Sequence, residues 1–127
     1  MEAAGLSGET DPRSQALQSL EDFSRFCEQP LFDFVPEFEL RLAGVMTVVE
    51  NYRQELRVDN KTERALSLAI TRFRVQAEKL IYYHRRHSVS SQSSAADGLA
   101  FIDGFSAIQL KVLEESQALI GFLTGMA

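Results

Sequence analysis

The sequence is poor in the residues on which many enzymes and most small extracellular scaffolds depend. It has one cysteine, Cys27, in 127 residues, so no internal disulfide can form and a disulfide-stapled secreted fold is excluded. The only histidines are His84 and His87. At that spacing they could share a metal with Glu114 or Glu115, but neither follows a glutamate by three positions, as the motifs of a di-metal bundle require. There is no Gly-x-Ser-x-Gly elbow, no Gly-x-x-x-x-Gly-Lys phosphate loop and no Gly-x-Gly-x-x-Gly turn. The adjacent acids Glu114 and Glu115 point to different sides of a helix and make a poor acid/base couple. These absences predict a non-catalytic protein with no metal and no cofactor.

Targeting features are equally sparse. Met1–Leu6 has neither the basic segment nor the apolar run of a secretory signal, and it is too acidic for a mitochondrial presequence. The most apolar region, Leu99–Met126, is interrupted by Asp103, Gln109, Lys111, Glu114, Glu115 and Gln117 and does not read as a membrane span. The expected location is the cytosol or the nucleus.

What is present is helical periodicity. Val35, Phe38, Leu42, Val45, Val49, Tyr52 and Leu56 follow one another at alternating spacings of 3 and 4, the a/d line of a coiled-coil-like helix. Leu66, Ile70, Phe73, Ala77, Leu80 and His84 repeat the pattern, and Ala16, Leu20, Phe23 and Cys27 give a shorter version. Asp11-Pro12 supplies an N-cap and a first-turn proline for a helix running to about Glu28. Asp33 is the expected cap of a second helix ending near Arg57, and Asn60, with Glu63 three residues later, the expected cap of a third. The short connection at 58–60 makes the second and third helices a long αα-hairpin. Gly44 weakens the second helix unless a neighbour approaches closely there. The expected fold is therefore an all-α antiparallel bundle of one short and three long helices. Residues 1–10 form a disordered tail, and residues 11–127 form one domain with a flexible serine-rich linker at 88–98.

The last helix carries Phe101, Phe105, Ile108, Val112, Leu119 and Phe122 on one line, with Leu123 widening it. So wide an apolar face suggests a second neighbour. These seven residues are the expected partner-binding surface of a protein-interaction module, an adaptor, assembly subunit or small chaperone that holds a partner helix or self-associates. Gly121 and Gly125 add a small-x-x-x-small spacing suited to close helix approach.

Charge supplies the alternative. The net charge is −5, which argues against non-specific affinity for nucleic acid or anionic lipid. Residues 60–88, however, hold seven basic and two acidic residues, for +5, whereas residues 1–39 hold two basic and nine acidic, for −7. Arg72, Arg74, Lys79, Arg85 and Arg86, near Tyr82 and Tyr83, could bind a polyanion. Arg72 and Arg74 lie about 200° apart around a helix, so the five basic residues do not share one stripe.

Overall fold

The computed structural model describes the backbone of residues 11–89 and 95–125 and the side chains of 11–86 and 100–125. Its helices are α1 (Pro12–Phe26), α2 (Val35–Glu55), α3 (Asn60–Val89) and α4 (Ala95–Gly125), with a single 3-10 turn at Phe32–Phe34 and no strand among the described residues. The expected tail at 1–10 and residues 90–94 of the expected linker lie outside the described residues. The flanking parts of that serine-rich stretch, 88–89 and 95–98, belong to α3 and α4.

Each helix packs on its sequence neighbours, and α4 closes against α1. Side chains fix the directions. Arg13, at the start of α1, donates to the carbonyls of Leu123 (3.0 Å) and Thr124 (3.2 Å) at the end of α4. Arg85, late in α3, pairs with Glu39, early in α2. The architecture is the expected antiparallel bundle, with helices of 15, 21, 30 and 31 residues. The α2–α3 hairpin forms across Leu56–Asp59, yet it is the loosest of the four pairings, and the closest is α3 with α4.

The a/d lines become the core because residues at that spacing face one side of a helix. Val35, Phe38, Leu42, Val45, Val49 and Tyr52 are all buried on α2, as are Leu66, Ile70, Phe73, Ala77 and Leu80 on α3. At their centre Phe23 of α1 meets the rings of Phe38 (5.3 Å between centroids) and Phe73 (5.5 Å, edge-on).

Two caps differ from expectation. Asp33 does not cap α2. It sits inside the 3-10 turn, Phe34 occupies the cap position without a side-chain bond, and the buried Leu31 accepts the Phe34 N–H (2.9 Å). Asp59, not Asn60, caps α3: its Oδ1 accepts the Thr62 N–H at 2.8 Å and its carbonyl accepts the Glu63 N–H at 3.0 Å. The Thr62 hydrogen bonds hold the Asp59 carboxyl below its usual pKa. Glu63 then lies one residue beyond the capping-box position, and it instead accepts from Arg53 Nη1 (2.9 Å) across the hairpin.

Candidate interaction surface

The apolar line of α4 faces inward. Phe105, Val112, Leu119 and Leu123 are buried in the core, and Phe101, Ile108 and Phe122 are half-buried against it. Four of the seven residues of the expected partner-binding surface are thus taken up by the chain's own core. α4 does touch two neighbours, but these are α1 and α3 of its own chain. Between Val112 and Leu119 the buried line of α4 runs through Ser116 (0% exposed), with Glu115 beside it only half-buried. Ser116 Oγ donates to the Leu113 carbonyl at 2.8 Å and can be buried satisfied. A carboxylate there would be desolvated, so Glu115 stays at the margin.

Several polar and aromatic side chains are absorbed by the same packing. His84 lies among aromatic rings, with centroids 5.4 Å from Phe32 and 5.8 Å from Phe105. Among the described residues no group of three His, Cys, Asp or Glu could hold a metal, and the side chain of His87 lies outside them. Cys27 is buried, and burial pushes its thiol up to about 12. Nothing approaches Gly121 or Gly125 closely, and a side chain at either position would meet open space.

The basic residues of α3 divide into two sets. Arg85 pairs with Glu39, and Arg74 lies 4.0 Å from Glu50. These pairs straddle an open groove of about 580 Å³ between α2 and α3, whose apolar lining comes from Leu42, Ala43, Met46, Ile81 and Tyr82. Arg72 and Lys79 point away from this groove and, with Lys61 and Arg64, are exposed and form no ion pair among the described residues. Arg86 is also exposed, and its Nη1 donates to Tyr82 Oη at 3.4 Å.

This second set shares its face with the largest apolar side chains exposed on α3: Leu68 (53% exposed), Val75 (48%) and Tyr82 (62%). Ala65, Leu68, Arg72, Val75, Lys79, Tyr82 and Arg86 run at alternating spacings of 3 and 4, and every one is exposed. The line is a second a/d stripe, on the side of α3 opposite the core stripe and roughly 31 Å long at 1.5 Å per residue. It contains no acid, since the only acids of α3 are Glu63, bound to Arg53, and Glu78, in the lining of the groove.

No family matches this chain, and no curated protein or solved structure does. Apart from Arg72, Lys79, Tyr82 and Arg86, the outer stripe was missed in the sequence, although its signal was present. Leu68, Val75 and Tyr82 recur every seven residues, and removing the core line from α3 leaves that repeat visible.

Proposed function

We propose that this protein is a non-catalytic interaction module of the cytosol or nucleus, which holds a helical partner against the outer face of α3. The observation that carries the reading is the heptad spacing of Leu68, Val75 and Tyr82 on solvent-exposed helix. Single exposed apolar residues are common on any surface and call for no explanation. Three at heptad spacing supply what a second helix uses for knobs-into-holes packing. The core of the bundle does not need them, because each helix already has its own buried line.

The test is capture of partners from native cells with the wild-type chain and with Leu68→Ser/Val75→Ser. Both sites are exposed, so the variant should keep its helix content and lose no more than about 1 kcal/mol of stability. The expected result is loss of the captured partners. An unchanged set of partners would refute the reading. The basic side chains on the same face support a second reading, a polyanion surface, for which salt-sensitive binding to RNA, DNA or charged vesicles is the check.

A further inference from the structure

We propose that the occupant of the α3 outer face is an acidic amphipathic helix of a different protein, its apolar residues over Leu68, Val75 and Tyr82 and its carboxylates against Arg72 and Lys79. This rests on the interaction reading above and adds the chemistry of the partner. Along the stripe apolar and basic side chains alternate at half-heptad intervals, so a helix laid lengthwise meets an apolar contact and a cation in turn. Arg72 and Lys79 have no carboxylate partner among the described residues, whereas Arg74 and Arg85 are matched to α2. On α3, therefore, Arg72 and Lys79 lie without a carboxylate partner among the described residues on the face that also exposes apolar side chains.

Competing occupants fit less well. A second copy docked symmetrically through this face would set its cations against those of the first. A flat anionic bilayer resting on α3 would also meet the flanking α2 and α4, whose net charges are −2 and −3. A partner helix about 10 Å wide touches the strip alone. Electrostatic complementarity of this kind selects the partner and speeds the encounter more than it strengthens the final complex.

Two synthetic peptides of about four heptads test the inference by fluorescence anisotropy against the whole chain, both with leucine at a and d, one with flanking glutamates and one with flanking lysines. The glutamate peptide should bind, and its affinity should fall about tenfold or more between roughly 0.05 and 0.5 M NaCl. Arg72→Glu/Lys79→Glu should lose that peptide and gain the lysine peptide, an exchange that simple unfolding cannot produce. Leu68→Ser/Val75→Ser should bind neither peptide while its circular dichroism is unchanged. Equal binding of both peptides, insensitive to salt and to charge reversal, would overturn the acidic-partner inference and leave the interaction reading standing. Binding to phosphatidylserine vesicles or duplex RNA with none to the glutamate peptide would overturn it in favour of a polyanion. A doubled mass by light scattering that Leu68→Ser/Val75→Ser abolishes would overturn it in favour of a second copy.

Discussion

Two glycines show that one residue type can have opposite consequences in one bundle. A Cβ added at Gly104 would lie 2.1 Å from Tyr83 Oη and 2.9 Å from its Cζ, whereas one added at Gly44 meets nothing within 4 Å. Tyr83 is held where it is: its hydroxyl donates to the Phe101 carbonyl at 3.3 Å and its ring stacks on Phe101 at 5.2 Å. Gly104→Ala should therefore push α3 and α4 apart and lower stability by about 1–3 kcal/mol. Gly44→Ala should raise it by about 0.5–1 kcal/mol through helix propensity. Urea denaturation of the two variants beside the wild type checks both signs. Cys27 provides a pH test. Burial pushes the thiol from its ordinary 9.0 up to about 12 in the bundle, so the folded and unfolded states bind protons equally only below about pH 8. Above that pH the unfolded chain loses its proton first, and stability should fall as pH rises towards 12. Burial also raises the Tyr52 phenol and acts in the same direction. At pH 8 the thiol should resist a thiol-reactive dye until denaturant is added.

Between elements, the join of α1 to α2 depends on one amide. Gln109 of α4 donates through Nε2 to the carbonyls of Cys27 (3.0 Å) and Gln29 (2.6 Å), and its Oε1 accepts the Leu31 N–H (3.2 Å). That side chain supplies partners where the backbone leaves α1 and has no helical ones of its own. Gln109→Ala should lower stability by about 1–3 kcal/mol. Hydrogen exchange should locate faster exchange at the Leu31 amide, with the centre of α3 unaffected. Much at this scale was legible in the sequence. The buried lines of α1, α2 and α3 follow from spacing alone, because side-chain direction on a helix is set by residue number. Details that depend on a local choice between similar residues were not. Asp59 and Asn60 are both good caps, and the choice falls to Asp59, which places Glu63 opposite Arg53. Ser116 in the buried line of α4 belongs with these details, since its hydroxyl bonds its own helix and so lets a polar residue face the core. The apolar width of α4 serves α1 and α3 of its own chain, a use that residue spacing alone does not distinguish from a partner's.

At the scale of the molecule, the charge asymmetry was visible in the sequence but its arrangement was not. A wheel of α3 sets Arg74 and Arg85 apart from Arg72 and Lys79, but only the position of α2 shows that the first pair is neutralised and the second faces outward. The order of the helices around the bundle carries a different implication through Arg13. Its bonds to the last carbonyls of α4 bring the beginning of α1 and the end of α4 within one side chain's reach. The Leu56–Asp59 turn belongs to the same end, where Val58 and Thr62 line a hollow with Gly121 and Phe122. The start of α1, the end of α4 and the α2–α3 turn therefore meet at one end of the bundle, so the four helices can be linked in another order without moving any of them. A circular permutant that joins Gly125 to Asp11 through a short glycine-serine bridge and opens between Arg57 and Val58 should keep the helix content and cooperative unfolding of the bundle. Non-cooperative melting of that permutant by circular dichroism would show that the order of the helices along the chain matters to the fold.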